Sequence, residues 1–521
     1  MRKGLLLAAA IASALGLSLA FLSTLIDSNF VYYWIALSRL LVLLLAAAII
    51  VGLVFLTTRA KPITQLASRL AKRENLYLLG FFAGLILLQL FIYRFIAITQ
   101  NGWDNETVFR AAGLAAEGHL TEGLRHYLTQ FPNNFGITLL MGSWFNLTSW
   151  LPVGWTVRAL ALNILFVNIS ILLVYASVRA LRGTAAAIKS SWLALLFSPF
   201  FLYLPLFYTD TLSMPFAIGL VCAYIYLKCA ETPLHKCILA ATMGLLAVFA
   251  FALKPTSLII LIAILIYELL TLPKPRLAAL KNTLKLPVIF LAVALPGVAL
   301  FTTAQNMVAL EGVEPLPWQE YVKMGAQGEG GFYRPDRNLA LDRLNREGFS
   351  SSRAGQLAWV EYRARVVRFG PLGYANFLVH KLSYTWGDGT FYAPNKLERS
   401  PISAETGDGS KTWLQQIVLP EGRFFTAFLY LQNGFWLACL FLFAFSAWRG
   451  ISKASTAPGA PLTVENVKLI LRLTLLGVIL FFLFWETRSR YIVNYTPIFL
   501  LLLALELHDL RHLIKIKRRS K

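Results

Sequence analysis

The sequence predicts an all-α polytopic membrane protein, on three observations. Hydrophobic residues make up 57% of the chain, charged residues only 14%, and long apolar runs recur from end to end. A globular chain draws about a quarter of its residues from the charged types. Here the mean hydropathy is +0.62, more apolar surface than a water-soluble fold can hide. The recurring runs have the length a helix needs to cross the hydrocarbon core, about 20 residues. Only helices or closed barrels satisfy the backbone there, and the chain lacks the alternation of barrel strands.

Taken in order, the apolar runs place spanning helices at 4–24, 31–57, 76–98, 154–178, 191–208, 211–229, 236–253, 255–272, 285–307, 422–447, 467–486 and 490–507. The expected architecture is therefore a bundle of about twelve spans. Basic loops at 59–73, 179–189, 228–236, 274–285, 449–468 and 511–521 all fall on one side of it. Lys and Arg mark cytoplasmic loops, so both termini are expected in the cytoplasm. The same reading absorbs the net charge of +22, and no nucleic-acid partner is expected. The bilayer is the expected partner. The apolar run after Met1, Arg2 and Lys3 is long for a signal peptide and reads as a retained helix. Cys222, Cys229, Cys237 and Cys439 lie in or beside apolar runs, so disulfides and a metal cluster are not expected.

This pattern divides the chain into four parts. Residues 1–75 form a transmembrane hairpin with a basic loop, and 76–307 a transmembrane core carrying an external loop at 99–153. Residues 308–421 form an external region, and 422–521 the last spans and a basic tail. Within the first external loop, 134–150 is apolar but short. It contains Asn134, Asn146, Trp144 and Trp150 and follows Asn133, so it reads as a juxtamembrane or re-entrant helix. The region 308–421 is too long for a plain loop and should have structure of its own. Its middle, 352–384, reads as helix with Arg363, Arg365 and Arg368 on one face.

Four polar sites, far apart in sequence, fall on the side opposite the basic loops. Asp104 and Glu106 stand in NGWDNET, where partial desolvation would raise a carboxylate toward the range of a general base. A helix N-cap is the plainer alternative for Asp104. Asp210 stands in PLFYTDTLSMPF between two spans, where an acid must face a cavity or cap the next helix. Lys254 breaks another tight hairpin and calls for an anionic partner such as a lipid phosphate. Arg488 and Arg490, in ETRSRY, run against the positive-inside trend and suit bidentate phosphate binding, or else pair with Glu486. There is no Gly-rich phosphate loop, HExxH or CxxC, and the histidines show no ligand spacing.

This arrangement resembles the GT-C superfamily of membrane glycosyltransferases. It is most similar to the branch of protein O-mannosyltransferases and aminoarabinose transferase-like enzymes. The resemblance covers residues 76–507 and rests on WDNE, FPNN, FYTD and ETRSRY in that order. It implies a polyprenyl-phosphate sugar as donor and an acceptor glycan, lipid or protein on the outer face of the membrane, with inversion at the anomeric carbon. It implies Asp104 as catalytic base, with Glu106 beside it, and Asp210 as the second acidic position. Arg488, Arg490, Lys254, Asn133 and Asn134 become donor-side candidates, with Trp318, Tyr333 and Tyr208 as sugar or acceptor contacts. Gly330 and Gly331 would let a sugar approach the backbone. The acidic loop follows the third span here, where the family places it after the first, so 1–57 reads as an added hairpin. FPNN lacks the Lys or His common in its relatives, which raises the importance of Lys254.

No cofactor is required by this reading; the carboxylates permit a divalent cation without demanding one. Two other classes share the gross pattern. A transporter or lipid flippase would show broken helices and charges near mid-membrane. A polysaccharide polymerase or ligase would use diphosphate-linked donors.

Overall fold

The computed structural model describes residues 2–26, 35, 37–58, 60–96, 103–271, 277–398, 411–451 and 462–519. Residues 27–34, which include the start of the expected crossing 31–57, residues 97–102, which include the end of the expected crossing 76–98, and parts of the basic loops at 59, 272–276 and 452–461 lie outside the described residues. Among the described residues every regular element is helical. The order begins with α1 (Arg2–Ile26), α2 (Arg39–Thr58), α3 (Lys61–Ala71), α4 (Glu74–Ile96), α5 (Asp104–Ala116), α6 (Glu122–Gln130) and α7 (Phe135–Leu147). It continues through α8 (Trp155–Arg182), α9 (Thr184–Ala194), α10 (Pro199–Leu202), α11 (Thr209–Leu212), α12 (Met214–Cys229), α13 (Pro233–Leu253), α14 (Ile259–Thr271) and α15 (Leu277–Val308). The remainder is α16 (Trp318–Met324), α17 (Arg334–Asn345), α18 (Ser351–Trp386), α19 (Ala393–Glu398), α20 (Gln415–Val418), α21 (Phe425–Gly450), α22 (Val464–Phe484) and α23 (Thr496–Arg519).

Ten helices among the described residues are long and apolar enough to cross a membrane. The expected crossing at 255–272 is a shorter apolar helix, Pro255–Thr271, opened by a 3₁₀ turn. The expected crossing at 191–208 is not one helix. It is split into α9, α10 and an irregular stretch, and Pro199 and Pro205 flank the breaks. The freed carbonyls are taken by side chains from neighbouring spans. Asn163 donates to the carbonyls of Tyr203 (3.0 Å) and Leu204 (2.9 Å), and Gln89 to that of Phe200 (3.3 Å). Non-helical backbone survives at membrane depth only when other protein groups satisfy it in this way.

The helix α7 does not cross. Thirteen residues reach only about 20 Å. Its start packs at the last turn of α13, where a side chain on Gly136 would meet the Ala252 carbonyl at 1.9 Å. Its other end meets the first turn of α8: Trp144 donates to the Arg158 carbonyl, and Arg158 returns bonds to the carbonyls of Phe145 and Leu151. Both ends of α7 thus sit at one end of the bundle. The first two helices are built into the bundle, α1 against α21 and α22, and α2 against α21. The basic stretch after α2 is also a helix, because Ile63, Ala67 and Leu70 recur at helical spacing; it packs on α9.

Charges are not confined to one end of the spans, which corrects the simple picture drawn from loops. Lys468 donates to Glu506 (3.1 Å) and Asp509 (2.6 Å), and Arg472 to Glu506 (2.6 Å). Arg182 on α8 completes the set with Asp509. These groups lie inside or at the ends of spans, and each charge is matched by its opposite, which is how ionised side chains persist there. They occupy the end remote from Asp104.

The region 308–421 is helical, as expected for a segment with its own structure. The helix at 352–384 is realised as α18, with a break at Gly370 (φ 64°) before Pro371. Arg365 does not lie on an open face: it grips Asp336 of α17 with two bonds, at 2.6 and 2.8 Å.

Candidate active site

The four sequence-distant polar sites converge at one end of the bundle. Asp104 is the first residue of α5, and the N-cap position belongs to Trp103 with no side-chain cap. Its carboxylate is not spent on capping and instead accepts from a neighbouring helix. Tyr127 on α6 donates to Asp104 Oδ1 (3.0 Å), Asn134 Nδ2 donates to Tyr127 Oη (2.7 Å), and Tyr208 donates to Asn134 Oδ1 (2.6 Å). Every donor in this chain points toward Asp104. Burial and the Asp104 charge push the Tyr127 phenol well above its ordinary range, so it stays protonated and donates. Asn134 is held by the 3₁₀ turn Pro132–Asn134, which Gln305 ties down through the Pro132 carbonyl at 3.0 Å. Asn133 leans on Asn134 from the same turn (3.4 Å). Glu106 lies two residues further along α5, about half a turn away; the relay reaches Asp104.

Asp210 lies inside the first turn of α11, so it does not cap that helix. Its Oδ1 takes Lys254 Nζ at 3.0 Å, which supplies the anionic partner that Lys254 requires. Burial pulls the Lys254 ammonium below its ordinary range, and the Asp210 charge opposes that. The second oxygen of Asp210 is buried without a hydrogen-bond partner. Arg490, 8% exposed, lies close enough to feel both Asp210 and Lys254. Its guanidinium rests on the rings of Trp103 (4.4 Å) and Tyr208 (5.5 Å), while its Nη1 is buried with no partner. Trp103 and Tyr208 pack edge to face at 5.0 Å, so Arg490 joins the Asp104 relay to the Asp210–Lys254 pair.

Arg488 donates to Tyr392 Oη at 2.5 Å and lies over that ring. Tyr392 is presented by a strained turn in which Phe391 (φ 54°) and Tyr392 (φ 63°) are both left-handed. Such backbone persists only when over-determined by its surroundings. Here buried Asp388 accepts from Thr390 N and Oγ1, from Tyr392 N, and from Ser489 Oγ. Lys396 also stands over the Trp103 ring, at 4.0 Å. Glu486 is not paired with an arginine through a direct bond: Tyr491 donates to its Oε1 at 2.7 Å, and its Oε2 is buried without a partner. Burial pushes the Glu486 carboxyl up, with Tyr491, Arg488 and Arg490 pulling it back.

The region 308–421 closes over this cluster by backbone pairing. Glu486 N donates to the Tyr321 carbonyl (3.1 Å) and Thr487 N to the Gly330 carbonyl (2.9 Å). Gly330 and Gly331 are close-approach residues, but what approaches is the protein. A side chain on Gly330 would meet Lys381 Cδ at 2.6 Å, and one on Gly331 the Tyr384 hydroxyl at 2.8 Å. Tyr333 follows this loop and is 40% exposed at the start of α17. Trp318 is 51% exposed and stacks on Trp485 within an aromatic series that includes Trp359 and Tyr321. It therefore stands beside the cluster rather than in it.

A family model described as conserved hypothetical integral membrane protein matches residues 8–510, which takes in the bundle and the whole polar cluster. The chain belongs to that family. No curated protein and no solved structure matches it. Family membership thus supports the multi-pass membrane architecture, and chemistry must be argued from the cluster. Sequence reasoning missed Tyr127, Trp103, Asp388, Tyr392 and Lys396. Tyr127 carries no motif signal, and only the packing of α6 on α5 and the FPNN turn reveals it. The strain at Phe391 and Tyr392 follows GDGT, a turn signal that marks a bend without naming its role. For a divalent cation the fit is poor. Asp210 is already flanked by Lys254 and Arg490, and no group of three metal-ligating side chains occurs among the described residues.

Proposed function

We propose that this protein is a membrane glycosyltransferase. It would move a sugar from a polyprenyl-phosphate donor to a hydroxyl acceptor on the outer face of the membrane. The observation that carries the reading is the pairing of two features in one buried cluster. One is a carboxylate at the end of a directed hydrogen-bond chain, Asp104; the other is a buried guanidinium with an unpartnered donor, Arg490. Leaving a buried charged donor unsatisfied costs about 1–3 kcal/mol or more, which a bound phosphate would recover. The placement of the basic loops supports assigning the cluster to the outer side.

In this mechanism Arg490 and Arg488 hold the donor phosphate, and Lys254 adds positive charge from behind Asp210. Asp104 accepts the proton of the acceptor hydroxyl as its oxygen attacks the anomeric carbon. The bond from that carbon to the phosphate oxygen breaks, and its electron pair leaves on the phosphate. The phosphate departs already ionised, so cations stabilise the transition state and no leaving-group acid is needed. Tyr127 and Asn134 orient Asp104, and the 318–331 loop covers the site.

The test is release of polyprenyl phosphate by purified protein offered mono- and diphosphate-linked sugars. Monophosphate turnover is expected, and Asp104→Asn should lower it by about 10²–10⁴. Turnover by folded Asp104→Asn at the parent rate would remove the assigned base. Turnover of diphosphate donors alone would make the protein a polymerase or ligase. The transporter or flippase reading is favoured by one observation, the broken crossing at 184–208 beside an intramembrane ionic network. Movement of labelled lipid across proteoliposomes with no sugar transfer would establish it.

A further inference from the structure

The outward face of α18 differs from the surface of a water-soluble helix. Val360 (62% exposed) and Val367 (78%) project from it, and Leu372 (88%) stands exposed just past the break at Gly370. Arg363, Ala364 and Arg368 fill the same stripe at spacings of three and four, and all are exposed. The one acid of α18, Glu361, is turned the other way, toward Lys323 and Arg343. With the Arg365–Asp336 grip, these pairs fix the roll of the helix, so the apolar and basic stripe cannot turn inward.

Packing also fixes the depth of this stripe. Trp359 and Tyr362 meet the ring of Phe484 edge-on, at 6.1 and 5.8 Å. Phe484 is the last residue of spanning helix α22, and Leu480, one turn below it, is 58% exposed on the outside of the bundle. The stripe therefore sits beside the level where hydrocarbon gives way to headgroups, the level that Trp and Tyr prefer. Beyond the break at Gly370, α18 is buried from Lys381 to Trp386, and the helix as a whole packs on α1 and α22, which tethers the stripe to the edge of the bundle.

We propose that residues 356–372 lie in the membrane interface and bind anionic phospholipid headgroups of the host bilayer. Val360, Val367 and Leu372 enter the acyl boundary, while Arg363 and Arg368 extend to lipid phosphates. Apolar area together with basic residues, free of acids, is what such a helix needs. This assignment does not depend on the reaction proposed above.

The full-length protein is reconstituted in nanodiscs of phosphatidylcholine alone or an equimolar mixture with phosphatidylglycerol. An environment-sensitive fluorophore is placed at Val367→Cys, with labelled parent as background for the native cysteines. Ala364→Cys serves as a second site in case the first variant fails to fold. The fluorophore is expected to be quenched by lipid-borne nitroxide and shielded from aqueous iodide. In the mixture, nitroxide on phosphatidylglycerol headgroups should quench in preference to nitroxide on phosphatidylcholine. Each arginine contributes about fivefold to that preference, and Arg363→Gln with Arg368→Gln should abolish it. Quenching by iodide without quenching by lipid nitroxide places the stripe in water and overturns the proposal. Shielding from both places it under a protein partner, and indifference to lipid charge removes the headgroup assignment; either result overturns it as well.

Discussion

Replacing Lys254 with Met strands a buried carboxylate. The Asp210 side chain is 2% exposed and the Lys254 side chain 13%, with 3.0 Å between Nζ and Oδ1. Asp210 Oδ2 has no hydrogen-bond partner, so Lys254 is the group that satisfies this acid directly. At an effective dielectric of about 20, two charges at that distance attract by roughly 5 kcal/mol. Removing one partner of a buried pair costs about 3–5 kcal/mol, much of it the cost of the charge left behind. Arg490 stays within electrostatic reach of Asp210 and offsets part of the loss, so about 3 kcal/mol is expected for Lys254→Met. The assay is thermal unfolding in detergent micelles, with Asp210→Asn and the double variant closing a double-mutant cycle. The double variant should be more stable than the sum of the two single losses, by about 1–3 kcal/mol. Losses that add to within about 0.5 kcal/mol would refute the reasoning, because the two side chains would then not share an interaction.

The broken crossing depends on Asn163, whose amide serves two carbonyls; Asn163→Leu should cost about 2–5 kcal/mol in the same unfolding assay. Lys381 is buried, donates to the Gly325 carbonyl, and is pushed down to about 7 by that burial. Between that value and the ordinary lysine value of 10.5 the unfolded chain holds a proton that the folded chain does not. Stability should therefore rise with pH across this window and fall as pH drops through about 7, and Lys381→Met should flatten the profile. Gly330→Ala combines a left-handed backbone (φ 84°) with a 2.6 Å approach to Lys381 Cδ. It should destabilise the loop by about 1–3 kcal/mol, read as faster hydrogen exchange at Thr487.

The candidate site was only partly legible in the sequence. Asp104, Asp210, Lys254 and Arg490 stood out because charged residues at membrane edges are costly and rare, so each announced itself by position. The cap readings for Asp104 and Asp210 were equally consistent with local sequence, and packing decided against both. Asp104 is the first and Asp210 the second residue of its helix, past the cap position, and each is met by a donor from another element. Tyr127 gave no signal, since a tyrosine in an amphipathic helix is ordinary until its neighbours are known. Gly330 and Gly331 were legible as close-approach residues, but the approaching group proved to be Lys381 and Tyr384 rather than a ligand.

Hydropathy by itself determined that the chain is a multi-pass helical membrane protein, because apolar length is a local property that only spanning helices accommodate. For 134–150, length and asparagines favoured a helix that does not cross, and the packing of both ends of α7 at one end of the bundle decided it. Tertiary structure alone decided how the crossing at 184–208 is made, since irregular backbone there depends on amides supplied by Asn163 and Gln89 from other spans. It alone decided that Lys468, Arg472, Glu506 and Asp509 neutralise one another within the bundle. And it alone joined Asp104 to Arg490 through Tyr127, Asn134 and Tyr208. Hydrogen bonds and ion pairs act over a few ångströms, whereas these residues are spread over several helices of the chain, so only the folded packing of the helices brings them within reach.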